Sequence, residues 1–394
     1  MKGLQVMKGL HVVFRMLVLV PVLLLAGCSW LDSLSKEDNE KPLELDRIEQ
    51  EVRLRKEWSV NVGDGQGEKF NRLKPAISGD RIYAASNNGV VVAVDIESGR
   101  TQWKLKTGRV ITGGVGASNG LVLVGTESAR VIAFSEEDGT ELWNIKVSSE
   151  VLAAPATNGR VVVVQTVDGN LIGLDAKSGE QLWIYETNVP ALSLRGTSSP
   201  LIIDNFAISA LANGTVISIA IDNGTLRWEE RVAIPTGRSE IDRLVDIDGD
   251  VVINDAGLVL APSYQGYLAG IDVVTGQTRW RVEESSYVGA GFGFGNIYSV
   301  DDEDRVKAYR TGQETTAWIN DKLLRRQVST PLSFSNYVAV GDEEGYVHLL
   351  SQVDGRFVGR TKVDGDGVRA RMLNQGNTLY VYGNSGKLVA LRVE

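Results

Sequence analysis

Three aspartates of this 394-residue chain stand at a spacing that could bind a metal ion. Asp246, Asp248 and Asp250 alternate with other residues, and alternating carboxylates are typical of calcium loops. An EF-type loop also needs a glycine directly after the third aspartate and a glutamate at its last position. Val251 takes the place of that glycine. We therefore predict that the aspartates do not form a metal site.

Other segments could suggest phosphate binding or acid–base catalysis. Glycines alternate over residues 289–295, but no Lys-Ser/Thr pair follows them, and residues 296–300 read as a strand rather than a phosphate-binding helix. His11 and His348 are the only histidines, so a His-rich zinc site is excluded, as is any catalytic triad not built on His348. We interpret His348 as a strand residue and the acidic run 301–304 as a solvated turn. No catalytic residue is predicted.

A recurring phrase, Asp-x-x-Ser/Thr-Gly-x-x-x-Trp, occupies residues 95–103, 175–183 and 272–280. It is similar to the docking motif of pyrroloquinoline quinone dehydrogenases, in which it packs the blades of a β-propeller. Those alcohol dehydrogenases also place an adjacent cysteine pair against the cofactor, and this chain has a single cysteine, Cys28. We predict no cofactor, and keep a quinone-dependent or sugar-acting periplasmic enzyme as an alternative.

Seven tryptophans, including the three that end this phrase, recur along the chain at intervals of 45, 40, 40, 45, 52 and 38 residues. A period near 40 is typical of propellers, whose blades cannot bury their apolar faces alone. Residues 155–185 show the unit clearly, as four short alternating strands separated by Asn-Gly, Asp-Gly and Ser-Gly turns. The sequence therefore predicts an all-β fold, an eight-bladed β-propeller of four-stranded antiparallel blades. The tryptophans are Trp58, Trp103, Trp143, Trp183, Trp228, Trp280 and Trp318.

The ends of the repeat array complete each other. The last unit, 372–393, stops before any tryptophan strand, whereas residues 55–62, with Trp58, form a tryptophan strand without a blade. We predict that this N-terminal strand joins the C-terminal blade and closes the ring, which removes open sheet edges. Each tryptophan is expected to pack between neighbouring blades with its indole N–H bonded there. Seven and six blades are the alternatives. Eight inner units disfavour both; they begin near Ala76, Gly116, Pro155, Pro200, Val251, Gly291, Pro331 and Met372.

The N-terminus has the features of an export signal. Lys2, Lys8 and Arg15 precede or flank a short apolar run, 16–25, which is about half the length that a membrane-spanning helix needs. Residues 25–28, Leu-Ala-Gly-Cys, are similar to a bacterial lipobox. The resemblance implies cleavage before Cys28, lipidation of Cys28 and sorting to the outer membrane.

These features give a domain plan of a signal peptide at 1–27, a lipid-anchored flexible linker at 28–54 and the propeller at 55–394. A helix is plausible only in the linker, around residues 43–54. Nucleic-acid binding requires a basic face, and a chain with a net charge of −9 does not favour one. We therefore predict no nucleic-acid partner.

Two connectors between blades are longer than the repeat needs. Twelve positions separate Trp143 from Pro155, but 17 separate Trp183 from Pro200 and 22 separate Trp228 from Asp250. Insertions into a repeat map to loops, often on the binding face. We expect residues 188–198 and 233–249 to be neighbours on one face, with leucines and charges suited to an interface. The alternative is that these leucines tuck beneath the blade.

The two connectors carry a specific resemblance. Leu-Ser-Leu-Arg-Gly at 192–196 and Glu-Ile-Asp-Arg-Leu at 240–244, with the lipobox and the eight-unit repeat, resemble the BamB family, the propeller lipoproteins of the outer-membrane β-barrel assembly (BAM) machinery. The resemblance implies a non-enzymatic scaffold on the periplasmic face of the outer membrane. Its implied partners are the POTRA domains of BamA, other BAM lipoproteins and unfolded outer-membrane protein clients. The partner-binding positions carry over onto Leu192, Leu194, Arg195, Asp246 and Asp248. A tethered binding module unrelated to barrel assembly remains a third possibility.

Overall fold

Eight four-stranded antiparallel sheets make up the computed structural model, which describes residues 41–190 and 192–394. The predicted signal peptide and Cys28 lie outside the described residues. The chain enters the ring with β1 (Leu54–Asn61). The first four blades are β2 (Ala76–Ser78), β3 (Arg81–Ala85), β4 (Val90–Asp95) and β5 (Thr101–Lys106); β6 (Ile111–Ser118), β7 (Leu121–Thr126), β8 (Arg130–Ser135) and β9 (Glu141–Lys146); β10 (Ala156–Thr157), β11 (Val161–Gln165), β12 (Leu171–Asp175) and β13 (Gln181–Tyr185); and β14 (Leu201–Ile203), β15 (Phe206–Ala210), β16 (Thr215–Ala220) and β17 (Leu226–Arg231).

The remaining strands follow the same order. They are β18 (Val252–Ile253), β19 (Leu258–Pro262), β20 (Gly266–Asp272) and β21 (Thr278–Glu284); β22 (Gly291–Gly293), β23 (Asn296–Val300), β24 (Val306–Arg310) and β25 (Thr316–Asn320); β26 (Leu332–Phe334), β27 (Tyr337–Gly341), β28 (Tyr346–Ser351) and β29 (Phe357–Lys362); and β30 (Leu373–Gln375), β31 (Thr378–Tyr382) and β32 (Lys387–Val393). None of the described residues belongs to a helix that could span a membrane.

The ring closes as the sequence predicts. β1 pairs antiparallel with β32, with Trp58 opposite Ala390, and completes the eighth blade. The indole of Trp58 then donates to the carbonyl of Ile96, 3.2 Å away in the first blade. The eight-bladed propeller is therefore confirmed, and its first strand in sequence belongs to its last blade.

Burial explains why each blade has its strand composition. The two middle strands are covered on both faces, so β11 reads Val-Val-Val-Val-Gln and is buried throughout. The outer strand β5 alternates exposed polar residues with half-buried Trp103 and Leu105, because only one of its faces packs on a neighbouring blade. Stability therefore comes from apolar packing within and between blades.

The tryptophan phrase holds neighbouring blades together. Trp183 donates from its indole nitrogen to the carbonyl of Ile221 in the next blade, at 2.8 Å, and lies over Gly224. A Cβ atom at Gly224 would come within 2.7 Å of the indole ring, and φ there is +70°. Glycine is therefore required both because the indole leaves no space for a side chain and because the backbone is left-handed. The same indole bond is made by Trp58, Trp103, Trp143, Trp228 and Trp318.

The contact between the fifth and sixth blades departs from this pattern. Among the tryptophans of the described residues, Trp280 alone makes no indole hydrogen bond, and Glu314, at φ +49°, stands where the other turns have glycine. A buried carboxylate supplies the contact instead. Glu284 accepts from Ser299 at 2.6 Å and from Lys307 at 3.1 Å, and also from the hydroxyl of Tyr309.

The acidic run 301–304, predicted to be a solvated turn, is solvated only in its middle, since Asp302 and Glu303 are exposed whereas Asp301 and Asp304 are buried. Asp301 is only 2% exposed and forms ion pairs with Arg305 at 2.6 Å and Lys307 at 2.9 Å. Asp304 is also buried and accepts the backbone N–H of Val328 at 2.9 Å. These carboxylates therefore help to fasten the turn to its neighbours.

Residues 45–53 lie along the outer strand of the seventh blade. The backbone N–H groups of Glu51 and Val52 donate to the carbonyl of Val358, at 2.9 and 3.0 Å. Gly359 occupies the position of the missing tryptophan, and a Cβ there would approach the carbonyl oxygen of Val52 to 2.8 Å. The compact unit thus begins at Leu45 rather than at residue 55, and the helix expected around 43–54 is wrong because these residues pack as an extra segment on β29.

Candidate functional site

The two long connectors lie side by side on one face of the ring. In a four-stranded meander, the link from an outer strand to the next inner strand always emerges on the same face, which we call the connector face. Residues 188–198 form the first connector and residues 233–249 the second, on either side of the fourth blade. The backbone N–H of Leu194 in the first donates to the carboxyl group of Asp246 in the second, at 2.8 Å. This hydrogen bond joins the two connectors.

Asp246 and Asp248 support the connectors from beneath. They are only 1% and 5% exposed. Burial, reinforced by the charge of Asp248, raises the pKa of Asp246 to about 8. Burial likewise raises the pKa of Asp248 to about 6, against the opposing effect of Arg72. Gly196 lies directly over Asp248, since a Cβ at that glycine would be 2.6 Å from the carboxyl carbon.

The first connector presents its other predicted residues outwards. Leu192 is 44% exposed, which rules out the alternative that it tucks beneath the blade. Leu194 is half-buried behind it. Arg195 is exposed and reaches Glu150 of the preceding connector, with 3.1 Å between Nη2 and Oε1. The structure thus brings the five predicted residues together, three on the outer surface or close to it and two beneath.

Asp250, the third aspartate of the series, has a different role. It pairs with Lys74 and accepts the backbone N–H of Ser199 at 2.9 Å. Burial alone would raise the pKa of Asp250, but the charge and hydrogen bond of Lys74 hold it down at about 2. Within residues 41–190 and 192–394, no three or more His, Cys, Asp or Glu side chains are grouped as metal ligands.

His348 lies in β28 and is fully buried. Its Nε2 is 2.9 Å from a carboxylate oxygen of Asp342, and its Nδ1 accepts a hydrogen bond from Arg360 at 3.0 Å. The proton of the neutral ring therefore resides on Nε2. Burial lowers the pKa of His348, although Asp342 opposes the effect, so the imidazole acts as a packed strand residue.

The second connector exposes apolar residues that sequence reasoning did not single out. Ile241 is 71% exposed and Ile234 57%. Reciprocal bonds fix the tip that carries Ile241: Ser239 N–H donates to the Asp242 carboxylate, and Asp242 N–H to the Ser239 hydroxyl, both at 3.1 Å. The Ser-x-x-Asp spacing is the signal that could have revealed this rigid turn.

The connector from β1 to the first blade was also missed. Arg72 donates to the carbonyl of Tyr287 at 2.8 Å and lies 5.4 Å from the ring centre of Phe70. Seventeen positions separate Trp58 from Pro75, as many as separate Trp183 from Pro200. The excess length was visible in the sequence, but it lay before the first complete blade.

Similarity to known proteins decides the family. Residues 87–320 match the family described as outer membrane protein assembly factor BamB. The assembly factor BamB of Pseudomonas aeruginosa is 57% identical over 376 residues, which cover 95% of this chain and 98% of that protein. The chain belongs to the BamB family of outer-membrane protein assembly factors.

Other relatives agree with the BamB assignment. BamB of Escherichia coli is 36% identical over 384 residues, 95% of this chain and 97% of that protein. The crystal structure of BamB from Moraxella catarrhalis superposes with a TM-score of 0.79 at 30% identity, covering 86% of this chain and all of that one. A quinohemoprotein alcohol dehydrogenase from Comamonas testosteroni has a TM-score of 0.69 at 15% identity over 88% of this chain and 78% of that one, a likeness in fold alone.

Proposed function

We propose that this chain is a non-enzymatic scaffold subunit of the β-barrel assembly machinery, which binds the POTRA domains of BamA through its two connectors. The observation that carries the proposal is the bond from Leu194 N–H to Asp246, which fixes the first connector while Leu192 and Arg195 stay exposed. Arginine is enriched among binding hot spots, and the core of an interface is more apolar than its rim.

The rigidity of the connectors matters for affinity. Ordering a flexible loop during association costs free energy, and a loop already held in place avoids most of that cost. Asp246 and Asp248 are too buried to form the contact surface, so we assign them the role of holding the connectors. Leu192 is the apolar anchor and Arg195 the charged one in this proposal.

The location of the protein is part of the proposal. Lipidation of Cys28 would hold the propeller on the periplasmic face of the outer membrane, because two or more acyl chains anchor a protein firmly. There it would meet unfolded outer-membrane protein clients and the other lipoproteins of the machinery. Mass spectrometry of the mature N-terminus tests this step, since an unmodified Cys28 would contradict it.

The non-enzymatic part rests on the residues available for chemistry. Cys28 is the single cysteine of the chain, and the imidazole of His348 is fully buried. A thermal-shift titration with pyrroloquinoline quinone and calcium checks this point. A large, saturable rise in melting temperature would revive the quinoprotein alternative.

Binding of the propeller to purified POTRA domains tests the main proposal. We expect Leu192→Glu, Leu194→Glu and Arg195→Glu to weaken binding by about tenfold or more, as loss of a hot-spot contact does. Val274→Glu is the matched control, since Val274 is 80% exposed and its turn lies on the opposite face. Unchanged affinity in all three connector variants, with the fold intact, would reject the site.

A further inference from the structure

A small pocket opens at the centre of the connector face. Residues from each junction between neighbouring blades line it, so it lies on the axis of the ring. We call it the axial pocket. Its wall includes Arg72, Arg369 and Arg371, together with Lys74 and the aspartates 248 and 250.

The three arginines lack carboxylate partners. In the part of the chain that the structure describes, no Asp or Glu lies within ion-pair distance of Arg72, Arg369 or Arg371. The guanidinium of Arg369 donates, among the described residues, only to the carbonyl of Asn71, at 3.3 Å, and stacks 4.0 Å from the ring centre of Phe70. Arg371 is half-buried and makes no hydrogen bond to another described residue. Its guanidinium therefore faces the pocket with its donors unused.

The acids of the pocket do not balance these charges. Asp250 is already paired with Lys74. Asp248 remains, and it lies beneath Gly196 with its Oδ1 atom buried and without a hydrogen-bond partner. Three arginines thus face one carboxylate. This local excess of positive charge stands out in a chain whose net charge is −9.

The arginines also crowd one another. Burial lowers the pKa of Arg369, and the neighbouring Arg72 lowers it further. Burial likewise lowers the pKa of Arg371, although Asp250 opposes the effect. Both directions mean that the positive charges are held at a cost, which a bound anion would offset.

We propose that the axial pocket is a binding site for a carboxylate or phosphate group, held by Arg72, Arg369 and Arg371. The planar guanidinium fits both groups, since it offers paired donors to two oxygens at once. The hydroxyl groups of Ser199 and Thr330, which also line the pocket, supply further donors. The group has two sources: an acidic side chain on a loop of a protein partner, or a free oxyanion such as phosphate. The inference of an anion site rests on the arginines of the axial pocket and not on the proposed binding of POTRA domains.

Titration of the full-length protein, purified in detergent, with sodium phosphate tests the site. Chloride at equal ionic strength is the reference, because it screens charges without offering paired oxygens. We expect saturable binding to the wild type, and Arg369→Gln and Arg371→Gln to weaken it by about tenfold or more. Arg371→Lys keeps the charge and should retain part of the affinity. Arg227→Gln is the matched control, since Arg227 stacks 4.6 Å from the ring centre of Phe206 but lies on an outer strand.

A second titration distinguishes the sources. A short glutamate-rich peptide is compared with its glutamine counterpart on the same variants. Tighter binding of the glutamate peptide than of phosphate identifies a partner's acidic side chain as the source, and the reverse identifies a free oxyanion; both support the site. Phosphate that acts like chloride, or Arg369→Gln and Arg371→Gln variants that bind like the wild type while melting normally, would overturn it.

Discussion

Replacing Asp246 by asparagine should make the propeller less sensitive to pH. The asparagine keeps an oxygen that can accept the N–H of Leu194, so the bond between the connectors is preserved. It removes a carboxyl group that is 1% exposed and whose pKa burial and Asp248 raise to about 8. The unfolded chain has an ordinary aspartate pKa, near 3.9.

The direction of the pH effect on stability follows from the number of protons that the folded and unfolded states bind. Between about pH 4 and pH 8 the folded protein retains a proton on Asp246 that the unfolded chain has released, so the contribution of Asp246 to the free energy of unfolding falls as the pH rises through this window. This contribution is fully present below about pH 4 and lost above about pH 8. Each pH unit contributes at most about 1.4 kcal/mol, so Asp246 alone accounts for about 2–4 kcal/mol between pH 5 and pH 8.

Urea unfolding at pH 5, 6, 7 and 8 measures the effect. The wild type should lose stability relative to Asp246→Asn as the pH rises. Asp242→Asn is the control, since bonds from Ser239 lower the pKa of Asp242 and keep it ionised over the whole range. Parallel curves for wild type and Asp246→Asn would show that the folded protein does not retain the proton of Asp246 over this pH range.

Three further changes test the contacts between blades. Trp183→Ala should lower the free energy of unfolding by about 3–5 kcal/mol, and Trp280→Ala, which loses no indole bond, by clearly less; equal losses in urea titrations would contradict the docking argument. Glu284→Ala should cost about 3 kcal/mol, because it leaves half-buried Lys307 without one of its two carboxylates; a melting temperature like that of the wild type would count against this network. Removing residues 45–53 uncovers β29 and should speed limited proteolysis of the seventh blade, whereas unaltered cleavage would mean that the segment adds no protection.

The number of blades and the way in which the ring closes could both be predicted from the sequence. Six of the eight blades repeat the same tryptophan contact, so the positions of Trp58 and of the incomplete last unit specify how the ends meet. Glycine is required beneath each docked indole, and that requirement is visible as a fixed interval in the sequence. The excess lengths of the two connectors likewise predicted that they lie side by side on one face.

Long-range contacts were not predictable in the same way. The burial of Asp301 depends on Arg305 and Lys307 meeting across a turn, and an acidic run looks the same whether it is solvated or paired. Gly359 gave no sign that Val52 would lie over it, because the two residues are brought together only when the ring closes. The axial pocket joins residues from every blade junction, and no local pattern records that convergence.

The central claim is that the connector face contacts BamA. A photo-crosslinking amino acid at position 192, in cells that carry the machinery, tests it most directly. We expect an adduct with the POTRA region of BamA from position 192 and none from position 274 on the opposite face. No adduct from position 192, or equal yields from both positions, would contradict it.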